Sequence, residues 1–164
     1  MTAFGHLGTD LAVIPGFAAH DAQSLDVATV ETRRTPLLAR LLEAHGASPD
    51  VAPADLRAVS GREDLAQSLV LRLLTPRGAL AALGHPDYGS RLGELIGERK
   101  TSALRARCRA FVLECVVQEP RVENTATELS FDPDQEQVDS FVLFLGVRPV
   151  AGGDPVTLGL ELGL

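Results

Sequence analysis

The residues of this chain that could do chemistry are its carboxylates, four histidines and two cysteines. Two carboxylates can hydrolyse a glycosidic bond when they face each other across a cleft and one is held protonated. Glu119 and Glu123, with Asp87, are the acids that best suit such a role. Glu119, however, lies two residues before Arg121, across Pro120. A guanidinium beside a carboxylate favours the charged form and makes a poor general acid. The simpler reading is a structural Glu119–Arg121 pair at a helix-to-strand corner, with Pro120 fixing the bend. His6, His20, His45 and His85 include no two at metal-ligand spacing on one helix, and neither HExxH nor CxxC occurs. Gly5-His-Leu-Gly8-Thr-Asp10 lacks the lysine of a phosphate loop and reads as a turn. No G-x-S-x-G elbow is present. Cys108 and Cys115, seven positions apart on one helix, would be separated by about 10 Å along its axis, too far for a disulfide. They read as small core residues in a reducing compartment. No catalytic residue, metal or cofactor is expected.

Composition bounds the setting. The chain has 164 residues, about one domain's worth. Hydrophobic residues make up 45% and charged residues 23%, which argues against global disorder. Aromatics are 4% with no Trp, so the core must be built from Leu, Val and Ala with a few Phe. A net charge of -7 and a pI near 5.0 repel a phosphate backbone. The best basic patch, Arg99, Lys100, Arg105, Arg107 and Arg109, reads as the solvated side of an amphipathic helix, and no nucleic-acid partner is expected. No charged start leads into an apolar stretch, and no apolar run is long enough for a bilayer. The expectation is a chain that is cytoplasmic at synthesis and does not insert into membranes.

The elements that must position these residues follow from periodicity. In residues 1–31, Leu11 with Val13 and Leu25 with Val27 suggest short extended pieces, an arm or a peripheral hairpin. Thr35-Pro36 opens a helix with Leu37, Leu38, Leu41 and Leu42 on one stripe, stopped by Gly46. Gly46–Asp55 carries Pro49 and Pro53 and reads as a connector. Ser60-Gly-Arg-Glu63 has capping-box spacing and predicts a helix buried through Leu65, Leu69 and Leu73 and ended by Thr75-Pro76. Ser90 opens a short helix through Leu92, Leu95 and Ile96, ending at Gly97. Thr101 opens a longer one with Leu104, Cys108, Phe111, Val112, Cys115 and Val116 on one face, closed by Pro120. The period then changes to two. Thr125–Phe131, Val138–Val147 and Val156–Leu162 predict three strands, the middle one buried on both faces, joined by the polar stretch Asp132–Gln137 and a turn at Pro149–Asp154. Helices followed by an antiparallel meander make the chain α+β, with helices packed on a C-terminal sheet. The last strand, Val156, Leu158, Leu160 and Leu162 alternating with small or polar residues, suits either a sheet edge or a covered position.

Three segments together resemble the baseplate wedge family of contractile injection systems. That family includes the W protein of P2-like phages, the T-even tail-lysozyme-like wedge subunit and the TssE subunit of type VI secretion. The segments are Gly61–Gln67 continuing through Arg72-Leu-Leu-Thr-Pro-Arg-Gly78, Pro86-Asp-Tyr-Gly89 followed by Arg91-Leu92, and Glu119-Pro120-Arg121-Val122. The resemblance covers Leu56 to Leu164, which divides the chain into an arm with an inserted helix (1–55) and a wedge domain (56–164). It implies a structural subunit, six copies to a baseplate, contacting other wedge subunits, the sheath protein and the spike or hub. Glu119, Pro120 and Arg121 are implied to dock on the helical core of the wedge scaffold. The strand of Val156, Leu158, Leu160 and Leu162 is implied to pair with extended arms of the first sheath ring. The particle would be a phage virion or a bacterial injection device. The word lysozyme in the family's name raises the alternative of a peptidoglycan hydrolase, against which the Arg121 neighbour of Glu119 argues. A small adaptor outside any tail particle is the third reading, and genes for sheath, tube and spike beside this one would reject it.

Overall fold

The structure is a computed structural model that describes residues 8–15, 25–27, 29–31, 54–123 and 127–164. The expected helix after Thr35 and the start of the strand at Thr125 lie outside the described residues. Contacts divide the chain into two units, Thr9–Ser60 on one hand and Gly61–Leu164 with Gly8 on the other.

In the first unit, β1 (Thr9–Leu11) pairs antiparallel with β6 (Ala58–Ser60), β2 (Val13–Pro15) with β3 (Leu25–Val27), and β4 (Thr29–Glu31) with β5 (Ala54–Leu56). Ladders of three residues thus meet in a three-way branch. At the branch the Ala12 amide donates to the Arg57 carbonyl at 2.7 Å, and Ala12 and Val59 form a small buried cluster. The extended pieces expected around Leu11, Val13, Leu25 and Val27 are strands, with Val13 opposite Val27. The connector expected to run to Asp55 ends earlier, because Ala54 and Asp55 already pair with Glu31 and Val30. That pairing is non-local and leaves no local signal.

The second unit begins with α1 (Arg62–Leu74), whose Leu65, Leu69 and Leu73 are buried at steps of four. Its start corrects the capping-box expectation. Ser60 belongs to β6, opposite Thr9, so its hydroxyl is not the cap; Gly61 is the N-cap residue, without a side-chain bond. Thr75 ends the helix as expected. Two 3₁₀ turns follow, Ala81–Leu83 and Leu92–Leu95. Between them Gly89, at φ +105°, lets the chain pass the end of α1: a Cβ there would lie 2.5 Å from the Thr75 carbonyl oxygen and 2.7 Å from that of Pro76. Ser90 then donates to the Leu73 carbonyl at 2.6 Å and accepts from the Leu92 amide.

The next helix, α2 (Ser102–Val117), is capped as expected. Thr101 accepts from the Leu104 amide at 3.1 Å, and Leu104, Cys108, Phe111, Val112, Cys115 and Val116 are all buried. It packs on α1 and on the second 3₁₀ turn. β7 (Glu128–Phe131), β8 (Ser140–Val147) and β9 (Val156–Gly163) form an antiparallel sheet in the order β7-β8-β9. The unit is α+β, with α1 and α2 on a C-terminal meander and α1 against β9. The middle strand starts later than expected, at Ser140, since Val138 is 93% exposed. It is also less symmetric than expected: Phe141, Leu143, Leu145 and Val147 are buried, while Val142, Phe144 and Gly146 on the other face are half-buried. Among the described residues the helices pack on one face only, the face of Phe141, Leu143, Leu145 and Val147.

Candidate functional site

The corner after α2 gathers charges from three parts of the chain. Val117 ends α2, Glu119 is buried, Pro120 is exposed and Arg121 turns back. Arg121 Nε donates to Glu119 Oε1 at 2.6 Å, and its Nη1 donates to Asp64 Oδ2 at 2.9 Å in the first turn of α1. Arg72, near the end of α1, places Nη2 3.6 Å from Glu119 Oε2 and stacks its guanidinium 4.4 Å over the Tyr88 ring. The Asp64 and Glu119 side chains are 4% and 5% exposed, and those of Arg72 and Arg121 13% and 25%. Two acids and two bases therefore alternate, each charge with an opposite neighbour, as burial requires. Gly8 also lies here: a Cβ on it would come within 2.8 Å of Asp64 Oδ2.

Burial pushes the Glu119 carboxyl up, but the hydrogen bond and charge of Arg121, with Arg72 behind it, more than reverse this. The group is held below the usual carboxylate range. Arg121 is raised in turn, first by its bond to Glu119 and then by Asp64. A general acid needs the opposite, a carboxyl kept protonated near neutral pH. Of the other acids considered for hydrolysis, Asp87 is 80% exposed and bridged by Arg77 at 3.2 Å, and Glu123 is exposed with its amide on the Arg148 carbonyl. No cluster of three metal-binding side chains occurs among the described residues, and no helix of those residues is long and apolar enough to cross a membrane. Burial raises both cysteine thiols to about 11, so they are poor nucleophiles.

Arg72 stands seven positions after Leu65, on the same helical face as Leu65 and Leu69. An arginine on a buried stripe requires a buried anion, and that was the available signal for this network. Asp64 and Tyr88 gave no comparable sign. The basic patch also resolves differently from its expectation. Lys100 and Arg105 are not merely solvated: they hold Glu136 at 2.9 and 2.7 Å, and its side chain is only 2% exposed. Lys100 Nζ also donates to the carbonyls of Gln137 and Ser140. A glutamate inside a polar connector carries no hint of this role.

At the other candidate, among the described residues β9 pairs on one side only, with β8. Val156 is buried, and Leu158, Leu160 and Leu162 pack against the core, so these side chains serve the protein's own interior. The register decides what the strand presents outward. Leu164 donates to the Asp139 carbonyl, directly opposite in the ladder, which makes Phe141/Leu162, Leu143/Leu160, Leu145/Leu158 and Val147/Val156 the hydrogen-bonded pairs. The backbone N–H and C=O groups of Thr157, Gly159, Glu161 and Gly163 consequently point away from β8. All four residues are exposed. The strand is a sheet edge, one of the two placements its sequence allowed.

Comparison with solved structures finds this architecture elsewhere. The chain is similar to the crystal structure of a candidate tail lysozyme from Geobacter sulfurreducens, with a TM-score of 0.52 over 62% of this chain and 89% of that one. The fold is shared. Sequence identity is 20%, so the likeness is one of fold. No protein-family model matches the chain, and no curated protein matches it.

Proposed function

We propose that this chain is a structural baseplate wedge subunit of a contractile, phage tail-like injection particle, that it docks on the wedge scaffold through the Glu119–Arg121 corner, and that it starts sheath assembly by strand pairing along β9. The observation that carries this reading is the open β9 edge. Eight residues of strand span about 27 Å and offer outward hydrogen-bonding groups at every second position. An extended arm of a sheath subunit is the occupant this edge suits, since main-chain pairing needs no pocket. The charge network supports a rigid corner with Pro120 at its exposed tip, and the neighbour described as a candidate tail lysozyme supports a place in a tail. Six copies to a baseplate, contacts with other wedge subunits and with the spike or hub, and assembly in the cytoplasm follow from the resemblance of the three sequence segments.

The deciding experiment is Glu161→Pro. The Glu161 N–H faces outward, so proline removes a docking donor and fills its space without breaking a bond to β8. Particles carrying this variant are expected to form baseplates without sheath, and normal sheath would reject the reading. Deleting Val156–Leu164 is a poorer test, because it also removes Val156 from the core.

The neighbour's description favours a second reading, hydrolysis of peptidoglycan. A turbidity assay on purified cell walls separates the two. No clearing is expected. Clearing that disappears in Glu119→Gln would overturn the structural reading.

A further inference from the structure

The sheet has a second edge, and it is built differently. Asp132 donates to the Val142 carbonyl opposite it, which makes Ser130/Phe144 and Glu128/Gly146 the hydrogen-bonded pairs between β7 and β8. The backbones of Leu129 and Phe131 therefore face outward along β7. α2 reaches the backbone of the first and the ring of the second. Arg109 Nη1 donates to the Leu129 carbonyl at 2.7 Å, and Arg105, one helical turn earlier, lays its guanidinium 5.1 Å over the Phe131 ring. Along β9, among the described residues, a side chain takes only the carbonyl of Pro155, before the strand starts, and it is that of Arg62.

We infer that Arg109 guards the β7 edge, so that an extended segment adds to this sheet along β9 alone. The inference rests on the strand-pairing reading above and names the residue that makes the pairing one-sided. A strand arriving at β7 must bring an N–H to the Leu129 carbonyl, where the guanidinium already sits, and must displace a charge-assisted bond to reach it. β7 has only four residues with which to compensate. A sheet with one open edge pairs once and stops; a sheet with two open edges propagates. Arg109 makes the subunit monovalent, so that an assembly begun on it grows in one direction.

Sedimentation velocity on the isolated full-length chain at rising concentration tests this. The parent is expected to form nothing larger than a dimer. Arg109→Ala is expected to form trimers and longer species at concentrations where the parent is still a monomer or a dimer, with an unchanged far-ultraviolet circular dichroism spectrum. Arg109→Lys, which keeps a cationic donor, is expected to behave as the parent. The double variant Arg109→Ala/Glu161→Pro, with one edge open again, is expected to stop at a dimer. Open-ended species in the parent, or an Arg109→Ala profile that overlays it, would overturn the inference. So would polymers of the double variant, which would then be aggregates of another kind. Normal sheath on Glu161→Pro particles is a separate result: it removes the docking role of β9 and leaves the guard at β7 to be judged by Arg109→Ala.

Discussion

Replacing Glu119 by Gln keeps the shape of the side chain and removes its charge, which isolates the electrostatic contribution of the corner. Taking away one member of a buried ion pair costs roughly 3–5 kcal/mol, because the partner is left buried and uncompensated. Two features reduce the figure here. Arg121 keeps Asp64 at 2.9 Å, and its side chain is 25% exposed; Arg72 keeps its stacking on Tyr88. The expected loss is therefore about 2–3 kcal/mol, a fall in melting temperature of roughly 4–12 °C for a protein of this size. Urea unfolding followed by circular dichroism measures it, with Glu128→Gln, exposed on β7, expected to stay within about 0.5 kcal/mol of the parent. The double-mutant cycle with Arg121→Met should return a coupling of about 1–2 kcal/mol. The pH dependence has a definite sign. The folded-state Glu119 carboxyl lies below its unfolded value, so its contribution is present above about pH 4.3 and is lost as pH falls through the lower, folded value. The acid limb of the stability profile should be shallower in Glu119→Gln. A variant within 0.5 kcal/mol of the parent, with the same acid limb, would refute the claim that this network holds the corner.

Three further outcomes are expected. Gly89→Ala should destabilise by about 2–4 kcal/mol, since φ is positive there and the new methyl would meet two carbonyl oxygens; a chemical denaturation curve reads this, and a neutral result would mean that the turn relaxes freely. Glu136→Gln should cost about 1–3 kcal/mol and speed exchange of the Ser140 amide, because Lys100 and Arg105 lose the anion that fastens the β7–β8 connection to the start of α2; unchanged exchange at Ser140 would dismiss the latch. Cys108 and Cys115 should resist iodoacetamide at pH 8 until the protein unfolds globally, their thiols being buried and raised to about 11, whereas rapid alkylation of the native chain would contradict that burial.

What the sequence determined by itself was whatever depends on neighbours along the chain. The stripe of Leu65, Leu69 and Leu73, the six-residue face of α2, the Thr101 cap, the stop at Thr75-Pro76 and the three C-terminal strands all follow from period, capping and proline sterics, which act over a few residues. So did the pairing of Glu119 with Arg121, two positions apart. The tertiary structure decided everything that depends on residues distant in sequence. Ser60 looked like a helix cap until Thr9 claimed it for a ladder, and Ala54 and Asp55 looked like a connector until Glu31 and Val30 paired with them. Asp64 and Arg72 joined the Glu119–Arg121 pair from 57 and 47 positions away, and Glu136 sank between Lys100, just before α2, and Arg105 within it. The parity of the meander, fixed by where β8 meets its two neighbours, chose Thr157, Gly159, Glu161 and Gly163 as the outward groups of one edge and gave the other to Arg109. Periodicity shows which side chains face a core; only pairing shows which way the backbone hydrogen bonds point, because register is set between strands and not within one.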